Sequence, residues 1–266
     1  MNGLSAGALC RLLALGTGTL VLVLAQLVVR RVLPERAGTL PRRFHRFACF
    51  CLGVRRKVEG TPPPRGSGAL VVANHVSWLD ICVIGAEREI SFVAKSEVAG
   101  WPVIGFLADL QRTVYIDRQR RRATAGVAAA MGERIAAGEE VVLFAEGTTG
   151  DGTRILPFRS SLLGAAHQAI GDSEADVTVY PLTITYTGRR GLPGGRIERS
   201  ALAWYGDTEL APHLKYVLAC GAVDVALVWG APITMGRATS RKEATRLAEG
   251  VVRMARREAV TGRPAE

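Results

Sequence analysis

Within Ala69–Asp80, ALVVANHVSWLD, an apolar run delivers a histidine and an aspartate five positions apart, His75 and Asp80. Histidine ordinarily titrates near pKa ~6.5, so it can take and return a proton near neutrality, and a carboxylate on its other nitrogen fixes the tautomer. Leu70, Val71, Val72 and Ala73 read as a short buried strand of an α/β sheet that must end at Asn74 and His75. Catalytic groups in such sheets gather at the carboxyl ends of strands. On one continuous helix, five steps of about 100° would set the two side chains roughly 140° apart. They meet only if His75 lies in the loop and Asp80 in the first turn of the next helix. A reading without catalysis competes, because Ser77-Trp78-Leu79-Asp80 also matches the Ser-x-x-Asp pattern that opens helices.

Further residues follow in order. Lys95 comes just after Ser91-Phe92-Val93-Ala94, and Asp117 and Arg118 close the short apolar strand Val114-Tyr115-Ile116. Taken alone, an Arg at a strand end is usually a solvated charge. In Phe144-Ala145-Glu146-Gly147-Thr148-Thr149 the glycine permits close backbone approach. Neighbouring N–H groups there can face an anion, and Glu146 can accept from a hydroxyl or order nearby Arg residues. The plainer alternative is a Gly-rich turn, and no Gly-Lys-Ser/Thr follows to make a P-loop. Val179-Tyr180-Pro181-Leu182 is an apolar strand with a central Pro.

These stretches, in this order, resemble the four motifs of the PlsC-like glycerolipid acyltransferases of the lysophosphatidate acyltransferase superfamily. The first motif is matched by Asn74, His75 and Asp80, and the third, Phe-Pro-Glu-Gly-Thr-Arg, by Phe144 to Thr149. The resemblance implies catalysis by His75 and Asp80, and substrate binding by Lys95, Arg118, Glu146, Gly147, Thr148 and Thr149, with no metal ligands. Two departures matter. Ala145 stands for the usual Pro, and Thr149 for an Arg expected to grip the acceptor's phosphate. Either Arg154 or Arg159 compensates, or the acceptor carries no phosphomonoester. The run EGTTGDGTRILPFRSSL followed by WYGDTELAPHL resembles the branch that includes lyso-ornithine lipid acyltransferases.

The elements that must position these residues follow from composition and pattern. The 266 residues are 48% hydrophobic, with a formal net charge of +10 carried mostly by Arg. That charge implies an acidic partner and does not by itself choose among nucleic acid, anionic lipid and an acidic carrier protein. The five cysteines include no C-x-x-C pair or zinc spacing and read as reduced thiols of a cytoplasmic setting. Leu12 to Val29 carries no charge over eighteen residues, the short end of a spanning helix, and no convincing cleavage site follows it. Arg30, Arg31, Arg36, Arg42, Arg43 and Arg46 load its downstream side, so the positive-inside rule puts the body of the protein in the cytoplasm. Pro41–Leu52 gathers Phe44, Phe47, Phe50 and Leu52 on one helical face, to lie among lipid headgroups or to pack on the core. The expected division is residues 1–60 as a membrane-associated helical segment and 61–266 as the catalytic domain.

Candidate strands are Ala69–Ala73, Ile90–Ala94, Thr113–Ile116, Glu140–Phe144, Val177–Tyr186, Ala201–Tyr205 and Val223–Trp229. Helical patterns cover Ser77–Ala86, Arg120–Ala137, Ser160–Ile170 and Ser240–Arg257. This alternation predicts an α/β fold with a mostly parallel central sheet flanked by helices, which the resemblance makes glycerol-3-phosphate acyltransferase-like.

The expected reaction moves a fatty acyl group from a thioester, acyl-CoA or acyl-carrier protein, to the free hydroxyl of a lysolipid, with no other cofactor. The leading acceptor is 1-acyl-sn-glycerol-3-phosphate, giving phosphatidic acid, with lyso-ornithine lipid close behind; Thr149 separates them. The expected partners are membrane lipids, the lysolipid and the thioester donor rather than nucleic acid, and the expected location is the cytoplasmic face of the inner membrane. From another class comes a catalytically silent, basic lipid-binding protein, which a His75→Ala variant with unchanged effect would support. A serine hydrolase is disfavoured, since no Gly-x-Ser-x-Gly elbow occurs. His45, His167 and His213 lack motif context and read as surface or helix-packing residues.

Overall fold

The computed structural model of the chain describes residues 4–116, 121–164, 177–235 and 240–263, and over 121–128 and at 177 it describes the backbone alone. At its centre is β2 (Ala69–Ala73), five residues that are all buried, as a strand covered by helices on both faces requires. β2 runs parallel to β5 (Glu140–Phe144) on one side and to β6 (Val177–Arg189) on the other. Beyond β5 lie β3 (Ile90–Lys95) and β4 (Val114–Ile116), both parallel to it. Beyond β6 lie β8 (Val223–Trp229), antiparallel to β6, and β1 (Val54–Glu59), parallel to β8. The order is therefore β1-β8-β6-β2-β5-β3-β4, with β7 (Leu192–Pro193) and β9 (Ile233–Met235) each pairing with β6.

Strand side chains alternate between two cores, as a period of two dictates. Val71, Ala73, Val142, Phe144, Leu182, Ile184 and Tyr186 face the side of α2 (Thr39–Leu52) and α3 (Leu79–Glu87). Leu70, Val72, Val141, Leu143 and Val179 face α5 (Arg121–Ala136) and the last helix. That helix, α8 (Arg241–Thr261), starts with Ser240 accepting from the Glu243 N–H and buries Ala244, Ala248 and Val252, one i, i+4 stripe.

The structure differs from expectation in several stretches. Ala201–Tyr205, read as a strand, is instead the end of a short helix, α6 (Arg196–Leu202), and a loop in which the Trp204 N–H donates to Val76 O. A continuous apolar run as short as Ala201–Tyr205 does not distinguish the two. Val54–Glu59 is a strand although only Val54 is buried, because its ladder lies on the sheet's outer edge. The sheet therefore begins on the N-terminal side of residue 61. Two further helices, α4 (Pro102–Leu110) and α7 (Leu210–Cys220), form over stretches that the expected helical patterns do not cover. The helix expected over Ser160–Ile170 is present at 160–164, and the remainder lies outside the described residues.

The N-terminal helix α1 spans Ala6–Val32, longer at both ends than the uncharged core that marks it in the sequence. It buries only Ala8 and Gln26 and leaves Leu13, Leu20, Leu24 and Val28 more than half exposed. Both ends are tied to the domain. The Arg11 guanidinium donates to the carbonyls of Leu218 (2.7 Å) and Gly221 (3.0 Å) at the end of α7. The Gln26 amide donates to Ala37 O and Leu110 O, joining the far end of α1 to α4. In α2 the expected aromatic stripe divides: His45, Ala48, Cys49 and Leu52 form the buried face, Phe47 meets α1 at Gly18, and Phe50 stays exposed. The five cysteines are all free.

Candidate active site

The chain leaves the sheet at Asn74 by a substitution of side chain for backbone. After Ala73 pairs with Leu182, the Asn74 amide takes over the ladder: Oδ1 accepts from the Ile184 N–H (2.8 Å) and Nδ2 donates to Ile184 O (2.9 Å). The main chain is thus released from β6 without leaving that strand's polar groups unpaired. His75 then sits in the loop and Asp80 in the first turn of α3, the arrangement their spacing requires.

The His75 Nδ1 lies 2.8 Å from Asp80 Oδ2. That same oxygen accepts the main-chain N–H groups of Val76 (2.7 Å) and Ser77 (2.9 Å), so the helix-opening role expected of Asp80 coexists with the imidazole contact. With Asp80 as acceptor, Nδ1 carries the proton and Nε2 is left with a lone pair. The Asp80 side chain is fully buried at the amino end of a helix, where backbone dipoles favour an anion. The His75 ring stacks on Phe144, centroids 3.9 Å apart and planes at 12°, which leaves it little freedom to turn.

Glu146 lies beneath this pair and does not line the cavity. Its carboxylate accepts the main-chain N–H of His75 at Oε1 and that of Leu156 at Oε2, both at 2.8 Å, and the residue is 2% exposed. Burial pushes its carboxyl up to about 7, while the two amide donors pull the other way. A side chain so engaged supports the loop from below, which differs from the substrate contact expected of it. Gly147 adopts a left-handed φ of 72°, and Thr148 and Thr149 reach the surface beyond it.

His75 opens onto a cavity of about 950 Å³ that runs between α1, α2, α3 and α4. Leu22, Phe44, Ile81, Phe92 and Leu107 are among the apolar side chains of its wall, and Lys95, Gly147, Thr148 and Thr149 lie at its polar part. Lys95, at the end of β3, is exposed there. Arg118 lies outside the described residues. Neither Arg154 nor Arg159 lines the cavity. His45 and His213 are both buried: His45 lies on the cavity wall with Nε2 2.9 Å from Gln111 Oε1 and is held down to about 4 by burial, and His213 Nδ1 accepts from the Trp78 indole at 2.9 Å. His167 lies outside the described residues.

An imidazole beside a large, mainly apolar cavity is compatible with acyl transfer to a lipid hydroxyl. The family described as Acyltransferase matches residues 55–185. The lyso-ornithine lipid O-acyltransferase of Brucella abortus is 45% identical over 84% of this chain and 84% of its own length. That of Rhizobium meliloti is 46% identical over 78% of this chain and 71% of its own. The chain belongs to the PlsC-like acyltransferase family. Its fold is that of the PlsC 1-acyl-sn-glycerophosphate acyltransferase of Thermotoga maritima, with a TM-score of 0.64 at 22% identity over 92% of this chain and 89% of the other. A more partial likeness, 38% over 51% of this chain and 53% of the other, is to the 1-acyl-sn-glycerol-3-phosphate acyltransferase of Neisseria meningitidis. For an acyltransferase of lipids, the exposed apolar face of α1 suggests membrane association.

One support of this acyltransferase site lies outside the motifs: Tyr186 donates to Asp80 Oδ1 at 2.6 Å. The alternation Leu182, Ile184, Tyr186 on one strand is the signal that could have singled out the tyrosine.

Proposed function

We propose that the protein transfers a fatty acyl group from an acyl thioester to the free hydroxyl of lyso-ornithine lipid. The observation that carries the reaction is the His75 Nδ1–Asp80 contact with Nε2 left open beside an apolar cavity. Nε2 takes the acceptor's hydroxyl proton as its oxygen attacks the thioester carbonyl, and Asp80 stabilises the imidazolium that forms. The tetrahedral intermediate collapses, the C–S bond breaks, and the imidazolium returns the proton to the departing thiolate. The main-chain N–H groups of His75, Val76, Ser77 and Gly150 are already engaged. The oxyanion is assigned to the amides of Thr148 and Thr149, residues of the cavity wall.

The acceptor reading is supported by Thr149, which removes the guanidinium expected for a phosphomonoester, and by the lyso-ornithine specificity named for the relatives that align along most of the chain. α1, held along the domain at both ends, is read as lying in one leaflet with Leu20 and Leu24 toward the acyl chains. The arginines that follow it favour the cytoplasmic face of the inner membrane and an acidic donor, acyl-CoA or acyl-carrier protein. The test supplies purified protein with labelled acyl-CoA or acyl-carrier protein and, in parallel, lyso-ornithine lipid and 1-acyl-sn-glycerol-3-phosphate. Acylation of lyso-ornithine lipid at a kcat/KM at least about tenfold higher is expected, the scale of one lost charge-assisted contact. Product from the phosphate acceptor alone would overturn the assignment.

A further inference from the structure

Asp80 has no exposed side-chain surface, and a carboxylate so placed remains an anion only if its oxygens find donors. Oδ2 is well supplied, by His75 Nδ1 and by the main-chain N–H groups of Val76 and Ser77. Oδ1 accepts from the Tyr186 hydroxyl at 2.6 Å. Tyr186 reaches it from β6, 106 positions along the chain, and is itself 2% exposed, so it touches Asp80 and not the cavity. We propose that Tyr186 is a positioning residue of the catalytic pair, its hydroxyl holding the Asp80 carboxylate anionic and turned so that Oδ2 stays against His75 Nδ1.

This inference rests on the reading of His75 as general base. Without a donor, the cheapest way to keep Oδ1 buried is to protonate it or to rotate the carboxyl group, and either change weakens the anion that the imidazolium needs. Tyr186 itself does not pass on a proton. Burial, and then the charge of Asp80, pushes its phenol well above the ordinary range. The thiols of Cys49 and Cys82, which also face it, are raised by burial too and stay neutral, so Asp80 is the charge to which the hydroxyl answers.

The test is Tyr186→Phe, which keeps the ring and removes the donor, made both in the wild-type protein and in Asp80→Asn. Alone it should lower kcat about 10- to 100-fold, the range for a hydrogen bond to a buried charge, with KM for both substrates within about twofold. In Asp80→Asn it should cost no more than about twofold, because the anion it serves is gone. Histidine labelled with 15N, its His75 signal assigned by loss in His75→Gln, should show the Nδ1-protonated tautomer in the wild type and a mixture in Tyr186→Phe. That signal is read without substrate, so it decides the role of Tyr186 whichever lipid proves to be the acceptor. An unchanged tautomer with kcat within twofold of wild type, or an equal loss in the Asp80→Asn background, would overturn the proposal.

Discussion

Glu146 and His75, 71 positions apart, are joined by a hydrogen bond in which the Glu146 carboxylate accepts the main-chain N–H of the histidine at 2.8 Å. The contact fixes the backbone from which the His75 imidazole projects, and the other oxygen fixes Leu156. The third motif therefore underpins the first: the loop after β5 holds the loop after β2.

Glu146→Gln tests this support. An amide has one acceptor oxygen and cannot serve both N–H groups, so kcat should fall about tenfold, the scale of one misplaced contact. Stability should respond as well. The carboxyl is raised by burial from 4.5 to about 7, so its contribution to stability is fully present below pH 4.5 and is lost as pH rises through about 7. The loss amounts to about 3 kcal/mol. Urea melts should therefore show the unfolding free energy of the wild type falling by roughly that amount relative to Glu146→Gln between pH 4.5 and 7.5. Parallel curves would contradict it.

Much of this site was legible from residue order. The strand Ala69–Ala73 stands where its apolar run placed it, and the five-residue interval put His75 in a loop and Asp80 in a helix. What spacing does not carry is the far side of each contact. Tyr186 and Ile184 come to Asp80 and Asn74 from a strand more than a hundred positions on, through the pairing of β2 with β6. The misread strand at Ala201–Tyr205 has a similar cause. Its Leu202 is buried because a helix delivers it to the core, and burial alone does not reveal the period.

Leu20→Glu and Leu24→Glu test how α1 meets lipid. Both side chains are more than half exposed and make no part of the core. Each charge costs up to about 3 kcal/mol in hydrocarbon, so the pair should abolish co-sedimentation with vesicles of mixed zwitterionic and anionic lipid, while the melting temperature stays put. Undiminished vesicle binding would show that α1 does not face the acyl chains.

Two glycines in helices should behave oppositely. Gly250, in α8, has open space where a Cβ would stand, so Gly250→Ala should stabilise by about 0.5–1 kcal/mol through helix propensity. Gly85, in α3, has the His45 ring in that space. Gly85→Ala should destabilise by about 1–3 kcal/mol and loosen the contact of α2 with α3. Denaturant melts of the two variants check both signs, and a stabilising Gly85→Ala would contradict the packing of His45.

The proposed reaction depends most directly on the imidazole acting as base under the orientation of Asp80. The measurement is kcat with labelled acyl thioester and lyso-ornithine lipid for His75→Gln and for Asp80→Asn, each checked for an intact fold by its melting transition. Losses of at least about 10³-fold in both, with KM changed only a few-fold, are predicted, and the double variant should be little worse than either. Turnover within about tenfold of wild type in either folded variant would contradict it.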